Sequence, residues 1–181
     1  MLKIEVPISP EGWNEETQEF VDPETRVLEL EHSLVSISLW ESKWKKAFLS
    51  GKEKTAEETL DYIRCMTLNE VEPDVYDHLT RENIIQINKY IEDPMTATVL
   101  PKDKSGGKSK DTPTSELIYY WMVANTIPVE FQYWHINRLL TLIRVCGMKN
   151  NPPKGHRSKG DIARSYAEIN KANRARFNSK G

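Results

Sequence analysis

Apolar positions are densest between residues 115 and 147, SELIYYWMVANTIPVEFQYWHINRLLTLIRVCG, and their spacing predicts two helices. The first spans about Ser115 to Asn125. The second opens at Pro128, where a ring-locked φ and a missing N–H cost a first-turn residue nothing. It closes at Gly147, a residue suited to the left-handed conformation past a helix end. Between them Phe131, Trp134, His135, Leu139, Leu142, Ile143 and Cys146 recur at the three-and-four spacing of one helical face. Residues 128–146 at 1.5 Å each make a rod of roughly 28 Å, long enough to be the helix on which the rest packs.

Upstream the pattern is shorter-ranged. Leu2 to Val6 alternates apolar and polar, as do Val27 to Leu30 and Leu34 to Leu39, which predicts three strands of a small antiparallel sheet. Ser38 followed by Glu41 has the spacing of a capping box. The helix it would start, LWESKWKKAFL, places Trp40, Trp44 and Phe48 at intervals of four and ends before Gly51. That aromatic stripe reads as core, with an interaction surface as the alternative. Thr55 and Glu58 repeat the cap, with Leu60, Ile63, Met66 and Leu68 as the apolar side of a helix ending near Asn69. Asp74 to Leu79 is expected to form a helical turn. Thr80 then caps a helix from about Arg81 to Glu92, with Ile84, Ile87, Tyr90 and Ile91 inward, stopped by Asp93-Pro94. MTATVLP is expected to extend back towards the N-terminal strands.

Residues 101–114, PKDKSGGKSKDTPT, read as a flexible loop. A linker or an arm laid on another surface, MKNNPPKGHRSKGD, leads to a last helix from Asp161 to about Phe177. Its apolar stripe of Ile162, Tyr166 and Ile169 is too thin for stability alone. The fold class predicted is mainly α with a small N-terminal antiparallel β-sheet, a helical core around a long central helix, and a basic C-terminal arm. Residues 1–150 form the helical domain and residues 151–181 the linker and arm.

Charge sharpens that division. The formal net charge is −2, yet residues 151–181 hold eight Lys and Arg (Lys154, Arg157, Lys159, Arg164, Lys171, Arg174, Arg176 and Lys180) against Asp161 and Glu168. The arm is therefore +6 and residues 1–150 are −8. An acidic body with a basic tail is suited to associating with copies of itself or with an acidic neighbour, and a solvated tail is the alternative. Two isolated cysteines, Cys65 and Cys146, make no disulfide framework and fit a reducing compartment. No signal-peptide core opens the chain, and no apolar run approaches the ~20 residues of a membrane span, so a soluble protein with no membrane partner is expected.

The same residues carry no recognisable reactive motif. The acidic stretch 11–31 lacks a D-x-D-x-D-G loop and reads as a solvated face rather than a metal site. GGKSK lacks the Gly that a phosphate loop needs five residues before Gly107, where Lys102 stands, and Pro113 interrupts any following helix. His135 and Cys146 share a helical face but lie about 16 Å apart along its axis, too far for one metal. His135 instead reads as a hydrogen-bonded core residue. Neither G-x-S-x-G nor C-x-x-C is present. These absences predict no enzyme, cofactor or metal. The basic arm invites a nucleic-acid test, but Tyr166 and Phe177 are few aromatics for stacking and the acidic body repels a polyanion.

Four segments in order, SLWESKWKKAFL, KTAEETLDYIRCM, INKYIEDPMTAT and ELIYYWMVANTIPVEFQYWHINRLLTLIRVCGMKNNPP, resemble a family of small proteins of tailed bacteriophages, and YAEINKANRARFNSKG is similar to that family's basic, Gly-ended tail. Its members are known as tail assembly chaperones or small structural proteins. The long Gly-Lys loop, 101–114, and GHRSKG depart from the family pattern. The resemblance implies a protein that works by binding other phage proteins and has no catalytic residues. Tail tube or tape measure proteins are the partners expected of a chaperone, in the host cytoplasm during assembly. Neighbouring virion subunits are those of a permanent component at the head–tail junction, baseplate or capsid, and a nucleic-acid-binding regulator is a third reading. The contact candidates are Trp40, Trp44, Phe48, Tyr119, Tyr120, Trp121 and Trp134, with the basic arm.

Overall fold

The computed structural model describes residues 1–9, 12–14, 19–21, 24–100 and 112–150, together with Ala163 and Ala167. Strand β1 (Leu2–Pro7) pairs antiparallel with β4 (Thr25–Leu30), with Ile4 opposite Leu28 and Leu2 opposite Leu30. Period-two alternation does the sorting here: Ile4, Val6, Leu28 and Leu30 are buried, while Lys3, Glu5 and Val27 face outward. Between them β2 (Gly12–Asn14) and β3 (Glu19–Val21) form a separate antiparallel hairpin.

Helices then dominate, making the protein mainly α with a small N-terminal antiparallel sheet. They are α1 (Leu34–Trp44), α2 (Ala56–Met66), α3 (Arg81–Glu92), α4 (Ser115–Ala124) and α5 (Ile136–Asn150), with 3-10 turns at Pro73–His78 and Val129–Tyr133. Thr55 and Thr80 start α2 and α3 as the sequence predicts. Each hydroxyl accepts from the N–H three residues on, and the side chain there, Glu58 or Asn83, accepts from the threonine N–H. Asn83 also donates to the Glu5 carbonyl at 3.0 Å, which ties α3 to β1.

Several expectations are corrected by long-range pairing. Leu34–Leu39 is helix, not strand, and Ser33 rather than Ser38 is the cap, accepting from the Ser36 N–H at 3.2 Å. A six-residue alternation is short enough to satisfy both periods. The longer window puts Leu34, Ile37, Trp40 and Glu41 on one buried helical face. The open edge of β4 is instead closed by the chain after α2. Glu31 N–H donates to Met66 O at 2.9 Å and Leu68 N–H to Glu29 O at 2.8 Å. The Asn69 amide accepts from Glu29 N–H and donates to Val27 O, acting as a further rung of the ladder. That role carries Leu68 outward, 57% exposed, against its expected inward face.

Helix α1 stops at Trp44, five residues short of the predicted Leu49. Lys45 adopts the left-handed conformation (φ 53°, ψ 35°) and donates its N–H to Glu41 O. Phe48 therefore reaches Trp40 by chain reversal, not by helical periodicity. Its N–H donates to the buried Glu41 carboxylate at 2.8 Å, whose other oxygen accepts from Ser115 N–H at 2.7 Å and so anchors α4. A left-handed lysine costs about 1 kcal/mol that glycine would not. Lys45→Gly is accordingly expected to raise the urea-derived unfolding free energy by about that amount; a loss would mean the lysine side chain holds the turn.

The predicted 128–146 rod is broken. Trp134 is extended (ψ 156°), separating the 3-10 turn Val129–Tyr133 from α5. His135 bridges Ser33, and Ile136 N–H donates to His32 O at 2.7 Å, a pairing that a continuous helix would forbid. Gly147 does not end α5, which runs on to Asn150. The described part of MTATVLP, residues 95–100, forms no strand: Met95 is left-handed (φ 50°) and Val99 is 93% exposed.

The chain divides into two units, Met1–Cys146 and Gly147–Gly181. Of the second, the described residues are Gly147–Asn150, at the end of α5, and Ala163 and Ala167, both helical and exposed. Most of the expected 101–114 loop, the last helix otherwise, and Lys154, Arg157, Lys159, Arg164, Lys171, Arg174 and Arg176 lie outside the described residues.

Candidate interaction surface

The aromatic candidates separate into buried and presented groups. Trp40 and Phe48 are core. The Trp40 indole N–H donates to Glu58 O at 2.8 Å, and the ring stacks with Trp44 (6.2 Å) and meets Phe48 edge-on (5.2 Å). Trp44 is half-buried and donates to Asp61 Oδ2 at 2.8 Å. Ion pairs Lys43–Asp61 and Lys46–Glu58 close the same α1–α2 seam. The bond from Lys46 and the Thr55 N–H hold the Glu58 carboxyl below its usual pKa range. Binding a partner through Trp40 or Phe48 would require opening the core.

Helix α4 and the 3-10 turn after it present the other group. Tyr119 is half-buried and donates to Gln132 Oε1 at 2.9 Å, fixing turn against helix. Tyr120 and Val123 stand on the outer side of α4, 65% and 78% exposed, and Val129 and Tyr133 on the turn are 59% and 62% exposed. Only Tyr120 of these four is a sequence candidate. Val123 falls in the first predicted helix, where an apolar side chain reads as core, and Val129 and Tyr133 fall in a segment that reads as one amphipathic rod until the break at Trp134 is known. Trp134 is half-buried, stacked on Phe131 at 3.9 Å and covered by the Arg138 guanidinium at 3.8 Å. Trp121 is half-buried too and lines a groove of about 500 Å³ with Pro94, Leu140 and Ile143.

A titratable cluster lies deeper, where β4, α2, α3 and the start of α5 meet. Burial keeps the Tyr62 hydroxyl protonated well above its ordinary range, so it donates to His32 Nδ1, at 2.5 Å. Burial, with the charge of His135 and Lys54 adding to it, lowers the His32 pKa to about 3. The His32 and His135 rings meet edge-on at 5.0 Å. His135 is buried, as its hydrogen-bonded core reading predicts: Nε2–H donates to Tyr90 O at 3.0 Å, leaving Nδ1 to accept from Asn137 N–H. Tyr90 donates to Glu31 at 2.7 Å, and the Met1 ammonium pairs with the other Glu31 oxygen. A shallow cleft of about 230 Å³ reaches this cluster past Glu31, Tyr90, His135 and Arg138. Geometry makes it a knot joining four elements. The imidazole nitrogens facing Tyr62, Tyr90 and Asn137 are already engaged, so the cluster is arranged for folding more than for proton transfer.

Among the described residues no buried side-chain nitrogen or oxygen lacks a hydrogen-bond partner, and no group of three or more His, Cys, Asp or Glu is placed to hold a metal. Cys65 and Cys146 are free thiols, both half-buried. No described helix is long and apolar enough to cross a membrane. Comparison of the chain with protein-family models, with curated proteins and with solved structures finds no match in any of the three.

Proposed function

We propose that this protein is a bacteriophage morphogenesis factor that acts by binding other phage proteins, as a tail assembly chaperone. The observation that carries the reading is the exposure of Tyr120, Val123, Val129 and Tyr133. These are four large apolar side chains, each more than half exposed, within fourteen residues of α4 and the following turn. Exposed aromatic and aliphatic groups gathered on rigid elements are the usual anchors of a protein contact. The segment that bears them lies within ELIYYWMVANTIPVEFQYWHINRLLTLIRVCGMKNNPP, one of those that resemble the phage family. In this reading these side chains cover an apolar surface of the tail tube or tape measure protein in the host cytoplasm and are released when that surface polymerises.

Tyr120→Ser with Val123→Ser tests it. Both side chains are exposed, so stability is expected to stay within about 0.5 kcal/mol of the parent. Co-purification with co-expressed tail tube or tape measure protein is expected to be lost, together with tail formation in the complemented phage. Normal tails with the double variant would overturn the proposal. Mass spectrometry of purified particles adds a second check, because a chaperone leaves the particle, whereas a stoichiometric copy number would make the protein a virion component.

A further inference from the structure

We propose that the lysine-lined pocket between α1 and α2 docks the acidic 11–22 segment of a second copy of this chain. The pocket, about 410 Å³, lies between the end of α1 and the start of α2 and is lined by Trp40, Lys45, Lys46, Lys52, Lys54 and Glu58, among others. Residues 43–54, KWKKAFLSGKEK, hold five lysines against Glu53, an island of +4 on a body whose net charge is −8. Its cations differ in how far they are satisfied. Lys43 and Lys46 are answered by Asp61 and Glu58, while Lys45 and Lys52 are exposed and have no ion-pair partner among the described residues.

Lys54 is held differently. Its ammonium lies 4.0 Å from the Phe48 ring centre and donates to Phe48 O at 3.0 Å, and partial burial lowers its pKa against the pull of Glu58. A partly desolvated ammonium gains more from an arriving carboxylate than one in open water. Lys45 is kept in a left-handed conformation that glycine adopts without strain, and this places a cation at the pocket rim.

The complement is in the same chain. Residues 11–22 carry Glu11, Glu15, Glu16, Glu19 and Asp22 with no lysine or arginine, and Trp13 and Phe20 are spaced among them. Two pieces of this segment, β2 and β3, pair only with each other among the described residues. A two-stranded hairpin is marginal in water by itself and gains from docking. Two bodies that repel overall can associate where opposite patches meet, and such patches set orientation and salt dependence. The inference does not rest on the chaperone reading, and its failure would leave the α4 face untouched.

Sedimentation velocity of the full chain is the test. An assembly larger than the monomer is expected at low salt, reverting to monomer in about 0.5 M NaCl, where the screening length is roughly 4 Å. Lys45→Glu with Lys52→Glu, and separately Glu15→Lys with Glu16→Lys, should each weaken association by about tenfold or more with unchanged thermal unfolding. Mixing the two reversed proteins in equal amounts should restore it, because each then offers the other a complementary patch. A wild-type protein that is monomeric at both salt concentrations overturns the proposal, as does a mixture that stays monomeric. Salt-sensitive retention of a short DNA duplex, abolished by Lys45→Glu with Lys52→Glu, would also overturn it by assigning the pocket to a nucleic acid.

Discussion

Trp40→Ala is expected to lower the free energy of unfolding by about 3–5 kcal/mol, the range for removing a fully buried large aromatic. The side chain is 1% exposed and does three things at once. It fills the space between α1 and α2, satisfies its own buried indole N–H on the Glu58 carbonyl, and supports Trp44 and Phe48 by ring contact. Alanine leaves a cavity and removes that side-chain bond together. A domain with a typical 5–15 kcal/mol of stability would lose a large fraction of it. Trp40→Phe separates the contributions: it keeps most of the apolar contact and loses the donor, so a smaller loss of about 1–3 kcal/mol is expected. Urea unfolding followed by far-ultraviolet circular dichroism measures both without relying on the tryptophan signal. A Trp40→Ala cost below about 1 kcal/mol would mean that the ring is surface rather than core.

Acid is expected to weaken the fold well before its carboxylates titrate, through His32. Its pKa moves from 6.5 to about 3 on folding, because the buried imidazole is kept neutral against Tyr62 and beside His135. The sign follows from proton uptake. Below pH 6.5 the unfolded chain binds a proton at this site and the folded chain does not, so stability falls as pH falls and levels off only near pH 3. At about 1.4 kcal/mol per pH unit, acidification from 6.5 to 5 removes about 2 kcal/mol through this residue alone. His135, lowered mainly by burial, acts in the same direction. Glu58, Asp61 and Glu116, with depressed carboxyl pKa values, hold stability that is present above their unfolded range and lost on further acidification. His32→Gln is expected to start less stable at pH 7, having lost the imidazole that accepts from Tyr62. Its stability should fall less steeply between pH 6.5 and 5, by about 1.4 kcal/mol per unit relative to the parent. Equal slopes in the two proteins would remove His32 as the cause.

The candidate surface was only partly legible in the sequence. Tyr120 could be singled out because an aromatic-rich run is easy to see. Val129 and Tyr133 could not, because their exposure depends on the turn at Trp134, and Val123 could not, because an apolar side chain on a helix reads as core. Of the aromatic trio at intervals of four, Trp40 and Phe48 are core as read and Trp44 is half-buried, but the reason was incomplete. Trp40 and Trp44 share a helix, while Phe48 arrives from a loop drawn inward by its N–H bond to Glu41. The basic pocket left one mark in the sequence, the lysine run 43–54, and only the reversal at Lys45 turns that run into the wall of a cavity.

What the sequence alone determined was whatever a few neighbouring residues can encode. The Thr55 and Thr80 caps, the bounds of α3, the alternation of β1 and β4, and the helix-dominated class all rest on bonds or periodicities spanning about one turn or a few strand positions. The tertiary structure decided the elements whose backbone groups are satisfied from far away. Leu34–Leu39 became helix once residues 66–69 took the edge of β4, and the long rod broke at Trp134 so that His135 and Ile136 could pair with Ser33 and His32. A buried N–H or carbonyl must find a partner somewhere. Where that partner is distant in the chain, local pattern has no means of announcing it.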